Sequence, residues 1–197
     1  PVEKDVFLLG MVSRMTDQKG FDLIAYVMDE LMNTERLQFV VAGTGEAKYE
    51  QMLSYFAGKY PDKMHVTIGY SEELAHRIYG SCDAFLMPSL FEPCGLSQLM
   101  SLRYGTVPIV RETGGLKDTV EAYNEYEHTG TGFSFANYNA HEMLDTLRYA
   151  VRVYGTDRKS WNDMIVRGMQ KDFSWEKSAR EYQELYHTVV SETGRCR

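Results

Sequence analysis

The sequence predicts an α/β fold: a doubly wound parallel sheet of Rossmann-like type, flanked by helices. Three observations carry this. Short aliphatic or β-branched runs alternate with longer stretches whose apolar residues recur at helical spacing. The order strand, helix, strand repeats along the chain, which implies parallel strands joined by right-handed crossovers. With 197 residues, 44% of them hydrophobic, the chain is large enough to bury one sizeable core.

The elements follow in order. Val6 to Val12 reads as a buried strand, and Phe21 to Met32 as a helix with Ile24, Val27, Met28 and Leu31 on one face. Leu37 to Ala42 is a second strand, ended by Gly43. Ala47 to Tyr60 is a helix stopped by Pro61, since proline cannot donate to a helix or fit its interior. Val66 to Ile68 is a third strand and Glu72 to Tyr79 a short helix. Asp83 to Met87 is a fourth strand closed by Pro88, followed by a helix from Leu96 to Tyr104 with Gly105 as C-cap. Val107 to Val110 is a fifth strand and Leu116 to Ala122 a short helix. Tyr123 to Gly132 is a polar loop, and Gly132 to Phe135 a sixth strand. Three helices finish the chain: Ala140 to Tyr154, Arg158 to Met169 and Trp175 to Val190, the last two N-capped by Asp157 and Ser174. No internal repeat or low-complexity stretch interrupts this pattern.

Composition narrows the function classes. The formal net charge of −7 argues against a nucleic-acid partner, which needs clustered Lys and Arg. A phosphate ligand remains possible through a few local cations and helix N-termini. No run of ~18 apolar residues exists to span a membrane, and no signal segment opens the chain. Cys82, Cys94 and Cys196 lack metal-type spacing, and a sparse, odd set suits a reducing cytoplasm. The chain starts at Pro1 with a strand close behind, which suggests a piece of a longer protein.

In a doubly wound fold, ligands bind beyond the C-terminal ends of the strands. After the first strand, Arg14 and Lys19 lie in one strand-to-helix loop. Such a loop can aim a guanidinium fork and an ammonium at one diphosphate; two solvated surface charges fit the spacing equally well. After the second strand, Gly43-Thr44-Gly45 begins a dinucleotide fingerprint, but Lys48 stands where a small residue is required, so these are read as turn glycines. Tyr70, after the third strand, could stack on a nucleobase; a half-buried core tyrosine is the plainer reading. After the fourth strand, Glu92-Pro93-Cys94-Gly95-Leu96-Ser97 sets a carboxylate for sugar hydroxyls beside a glycine that opens a helix, whose free N–H groups suit phosphate. Arg111 to Asp118 contains Gly114-Gly115, read first as tight packing against the preceding loop. There is no G-x-S-x-G elbow, Walker loop or H-E-x-x-H. His65, His76, His128, His141 and His187 are scattered, so each is read as a surface or core residue, and Cys94 has no base beside it.

These motifs resemble one family. Val12-Ser13-Arg14-Met15-Thr16-Asp17-Gln18-Lys19-Gly20, Pro88 to Leu99 (PSLFEPCGLSQL), Tyr104 to Pro108, Arg111 to Leu116 and Asp172 to Trp175 are similar to the bacterial glycogen synthase and plant starch synthase group. The likeness runs from about Val6 to about Tyr186. It implies a GT-B glycosyltransferase with two facing Rossmann-like domains, of which residues 1–197 would be the C-terminal donor domain, with terminal helices at about 157–192 and the N-terminal acceptor domain absent. It implies transfer of glucose from ADP-glucose to the non-reducing end of an α-1,4-glucan, with retention and without a metal or other cofactor. By motif, Arg14 and Lys19 would neutralise the leaving diphosphate and Glu92 would hold glucose hydroxyls. The backbone at Cys94, Gly95, Leu96 and Ser97 would meet sugar and phosphate, and Tyr70 would stack on adenine. Many related transferases carry a second Glu eight residues beyond the first; here it is Met100, as is common in the synthase group.

Two other function classes are weighed against this one. A non-catalytic sensor or scaffold would keep the pocket without turnover. A dehydrogenase domain conflicts with Lys48. A sucrose- or trehalose-type transferase using UDP-glucose is the nearest enzymatic alternative. The partners expected are therefore ADP-glucose, a glucan and the missing domain, with no nucleic acid or membrane. The isolated chain is expected to bind nucleotide and not to extend glucan.

Overall fold

In the computed structural model the described residues are Glu3 and 5–194; Pro1 and Cys196 lie outside them. Six parallel strands form one sheet in the order β3-β2-β1-β4-β5-β6. The strands are β1 (Phe7–Val12), β2 (Leu37–Gly43), β3 (Met64–Ile68), β4 (Ala84–Met87), β5 (Val107–Arg111) and β6 (Phe133–Phe135). The helices between and after them are α1 (Phe21–Thr34), α2 (Ala47–Lys59), α3 (Glu72–Ser81), α4 (Ser97–Tyr104), α5 (Gly114–Thr119), α6 (Ala140–Thr156), α7 (Arg158–Met169) and α8 (Trp175–Gly194). The doubly wound Rossmann-like architecture is therefore present. The strand order reverses between β1 and β4, where a doubly wound sheet opens its ligand crevice.

Both sheet faces are covered. Alternate residues Phe7, Leu9, Met11, Phe39, Val41, Leu86 and Ile109 pack with the apolar faces of α1, α2, α6 and α7. Their neighbours Ala42, Phe85, Met87 and Val110 pack with α3 and α5. This period of two, buried on both sides, explains why the central strands read as unbroken apolar runs. Phe7, Phe133, Tyr154 and Trp161 form an edge-and-stack cluster beneath α6 and α7, each pair adding to plain burial through its quadrupoles.

Local chemistry sets the ends. Ser71 Oγ accepts from Leu74 N at 3.2 Å, Asn139 Oδ1 from His141 N at 2.9 Å, and Asp157 Oδ1 from Ser160 N at 3.0 Å. Ser174 Oγ likewise accepts from Lys177 N at 3.3 Å, so both expected caps are in place. Gly105 closes α4 in the left-handed region at φ 81°. Several boundaries move: β3 starts at Met64 and not Val66, α3 runs to Ser81 and α8 to Gly194, and α5 spans Gly114–Thr119, earlier than the sequence predicts, because the paired glycines form its first turn. A short 3-10 turn, Asp17–Lys19, was not foreseen. Among the described residues no helix is long and apolar enough to cross a membrane.

Candidate functional site

Every βα loop after a strand reaches the same rim because the strands are parallel. At the β1/β4 crevice two cavities of about 280 Å3 each lie side by side. The first is lined by Ser13, Lys19, Ser89, Glu92, Gly95, Leu96 and Ser97, over a floor of Met11, Val12, Leu86 and Met87. The second is lined by Arg14, Gly43, Thr44, Gly69, Tyr70, Glu72, His76, Tyr79 and Met100. Val12, Ser13 and Ser97 belong to both, so they mark the seam of one divided trough.

The loop after β1 is held in place by backbone on two sides. Ser13 N donates to Ala42 O, Met15 N to Thr44 O, and Glu46 N to Met15 O. A Cβ on Gly43 would stand 1.9 Å from Ser13 O, and one on Gly45 2.3 Å from Met15 O. These glycines, which the sequence reads as turn residues, serve close packing of the two loops. Lys48 lines neither cavity: it pairs with Asp17 at 2.5 Å and Glu46 at 3.1 Å. The same Asp17 accepts from Tyr49 OH at 2.5 Å. The Lys48 ammonium and then the Tyr49 hydroxyl hold the Asp17 carboxyl below its ordinary value.

On the other side Gln18 joins this loop to the one after β4. Its carbonyl accepts from Leu90 N at 2.8 Å and its side-chain amide donates to Phe91 O at 2.8 Å. Gly20 follows at φ 78°, and a Cβ there would sit 2.2 Å from Pro88 O, so the position demands glycine twice over. Arg111 grips the β4 loop from β5, donating from Nε to Ser89 O at 2.7 Å and from Nη2 to Leu90 O. Gly114 and Gly115 close the far side. A Cβ on Gly115 would stand 2.0 Å from Cys94 O, and Gly115 N donates to Glu92 O at 3.2 Å. The packing reading of the paired glycines therefore holds.

The result is a direct contact between the two loops. Lys19 Nζ lies 2.5 Å from Glu92 Oε2, with the side chains 16% and 11% exposed. Ser89 Oγ donates to the same oxygen at 3.3 Å. Glu92 lines the first cavity, and its Oε1 accepts no hydrogen bond among the described residues. Arg14 is exposed and forms no ion pair among the described residues, which leaves one uncompensated cation at the trough.

Helix α4 begins at the seam without a side-chain cap, so its first-turn N–H groups point into the trough with the positive end of the helix. Gln98, fully buried, staples the approach by donating from Nε2 to Cys94 O and Gly95 O, both at 3.0 Å. Gly95 lies at φ 73°, and its Cβ would collide with Gln98 Oε1 at 2.4 Å. Ser97 Oγ accepts from Tyr79 OH at 3.0 Å, and burial pushes the Tyr79 hydroxyl above its ordinary value.

Most residues expected of the site converge. Lys19, Glu92, Gly95, Leu96 and Ser97 line one chamber, and Arg14 and Tyr70 the other. Cys94 is exposed beside them. One expectation is corrected: Tyr70 is 79% exposed and not a half-buried core residue, since β3 ends at Ile68 and Gly69 carries the chain out over the cavity. His76, which the sequence presents as a surface or core residue, lines the second chamber and shares a 2.8 Å hydrogen bond with Tyr104 OH. Gln18 and Arg111 carried no sequence signal for their roles, because both act through main-chain carbonyls distant in sequence.

Residues 1–165 match the family model described as Glycosyl transferases group 1. The glycogen synthase of Lachnospira eligens is 65% identical over 187 residues, covering 95% of this chain and 39% of that protein. The glycogen synthase of Clostridium acetobutylicum is 51% identical over 190 residues, covering 96% and 40%. The chain thus spans about 40% of the length of these relatives. Among solved structures, the catalytic domain of starch synthase IV from Arabidopsis thaliana, bound to ADP and acarbose, matches with a TM-score of 0.84 at 33% identity, over 96% of this chain and 39% of that one. The sucrose-phosphate synthase of Thermosynechococcus elongatus shares the fold at a TM-score of 0.70 and 19% identity, over 97% and 47%.

Proposed function

The chain belongs to the group 1 glycosyl transferases, and from that premise we propose that it is the donor-binding domain of a glycogen synthase that uses ADP-glucose. The observation that carries this is the divided trough, with a carboxylate chamber and an aromatic chamber meeting at the mouth of α4. A sugar nucleotide has the matching order: hexose, diphosphate, base.

In this reading glucose occupies the first chamber, where Glu92 Oε1 accepts from its hydroxyls. Glu92 Oε2 stays engaged by Lys19 and Ser89. The diphosphate crosses the seam between Ser13 and Ser97. There it meets the free N–H groups at Gly95, Leu96 and Ser97, with Lys19 on one side and Arg14 on the other. The base lies over Tyr70. As the bond from glucose to the diphosphate breaks, negative charge grows on the departing ADP. Arg14, Lys19 and the helix dipole are already aimed at that charge and need no reorganisation. Transfer proceeds to the non-reducing end of an α-1,4-glucan with retention, and the acceptor and remaining catalytic groups come from the rest of the longer protein. Like the starch synthase IV structure, which carries ADP, this chain takes ADP in preference to UDP.

Calorimetric titration of the chain with ADP and UDP tests the proposal. Saturable binding of ADP that weakens on Arg14→Ala is expected, with no glucan synthesis by the chain alone. Absence of ADP binding, or binding indifferent to Arg14, defeats it.

A further inference from the structure

On the rim opposite the donor trough lies a second concavity, of about 590 Å3, formed by the segment between α5 and β6 and by α6. Helix α5 returns the chain to the end of the sheet where strands begin. Gly132 packs there against Pro108, near the start of β5. The concavity is shallow and open to solvent, a surface on which a ligand lies and not a pocket that encloses one.

Its walls are aromatic and polar together. Tyr126 is 89% exposed at the tip of the loop. It is nevertheless held: Asn124 Oδ1 accepts from Tyr126 N at 2.9 Å and Glu127 N at 3.2 Å, and Asn124 N donates to Thr129 O at 3.1 Å. A solvent-facing ring on a pinned loop costs little entropy to bind with. Tyr149 also lines the concavity, with the Arg152 guanidinium 4.9 Å from its ring centroid. Arg152 is in turn paired to Glu125 at 2.9 Å.

That pair decides the class of ligand. The cation and the carboxylate neutralise one another, so the wall holds no net charge for an anion. It still offers donors and acceptors to hydroxyl groups, and Tyr126 offers a flat apolar face. Sugars are neutral molecules that present both hydroxyls and apolar C–H faces, and so match this wall.

We propose that this concavity is an auxiliary binding site for an α-linked glucan chain, with Tyr126 stacking on a glucose ring and Glu125, Arg152 and Asn124 meeting its hydroxyls. The identity of the sugar rests on the glycogen synthase reading. A polymeric product is long enough to be gripped far from the reacting end, and such a grip keeps the domain on its substrate between turnovers.

Affinity electrophoresis of the chain through gels containing soluble glycogen tests this. The expected result is retardation of the wild type, kept by Tyr126→Phe and weakened about tenfold by Tyr126→Ala, with thermal transition and ADP titration unchanged. Equal retardation of wild type and Tyr126→Ala, or none for the wild type, overturns the proposal. Retardation that depends on Tyr126 in a chain that fails to bind ADP would support this site and sink the donor-domain reading instead.

Discussion

Lys19 and Glu92, separated by 73 positions, meet at 2.5 Å between the loops after β1 and β4. One residue is expected to attract a diphosphate and the other a hexose, yet each is the other's nearest charged partner. Coupling them lets two loops of independent origin keep one spacing in the absence of ligand.

Their opposite signs give a sharp expectation for ADP, which lacks the hexose. Lys19→Ala should weaken ADP by about 10–150-fold, the range for losing a charge-assisted hydrogen bond of ~1.5–3 kcal/mol. Glu92→Gln should instead tighten ADP severalfold, because it frees the ammonium and removes a repelling charge. For ADP-glucose, Glu92→Gln should weaken binding. Calorimetry on the three proteins decides this; a loss of ADP affinity on Glu92→Gln would show that the carboxylate is needed for the nucleotide itself. A double-mutant cycle in urea should give a coupling of about 0.5–3 kcal/mol for the pair.

Arg14 predicts a different pattern. It is exposed and unpaired among the described residues, so Arg14→Ala should leave stability within about 0.5 kcal/mol of wild type. It should still cost ADP affinity, and the loss should shrink as ionic strength rises and screens the guanidinium. Urea midpoints and titrations at two salt concentrations would measure both. A stability loss above ~1 kcal/mol would assign Arg14 a structural role.

Much of the fold was legible because β4 and its neighbours are buried on both faces, so Ala84 to Met87 reads as an unbroken apolar run. The site was legible only as single loops. Nothing local told that Gln18 would reach Phe91, or that Lys19 would spend one of its protons on Glu92. Tyr70 misled because tyrosine is amphipathic and abundant here, and only the path of Gly69 shows that it leaves the core. Lys48 breaks the dinucleotide fingerprint in the sequence, while its role in pinning Asp17 depends on a turn that the periodicity does not reveal.

Close approach makes two glycines vulnerable. Gly20→Ala would force a Cβ against Pro88 O at 2.2 Å from a left-handed backbone, and Gly115→Ala would force one against Cys94 O at 2.0 Å. Backbone oxygens cannot swing aside as a side chain can, so each change should cost about 2–4 kcal/mol. Gly58, with open space around its α-carbon inside α2, is the control. Gly58→Ala should stabilise by about 0.4–1 kcal/mol through helix propensity and a stiffer unfolded chain. Chemical denaturation of the three variants tests the contrast, and equal effects at Gly20 and Gly58 would refute the loop-seam geometry.

The two described thiols should differ in chemistry as they differ in burial. Cys82 is buried behind β1, and desolvation pushes its thiol from an ordinary 9.0 up to about 12. Cys94 is exposed on the β4 loop. In a Cys196→Ser background a thiol reagent at pH 8 should therefore titrate one group quickly, and the second only on unfolding. Because the folded value for Cys82 lies above the unfolded one, its contribution to stability is full below about pH 9 and is lost as pH rises towards 12. A Cys82→Ala variant should show a correspondingly flatter alkaline stability profile over that window. ADP-glucose should slow the reaction of Cys94, whose backbone adjoins the proposed phosphate path. Two fast thiols in the native chain would contradict the packing of Cys82. Protection of Cys94 by maltoheptaose but not by ADP-glucose would place the glucan, and not the donor, at the mouth of α4.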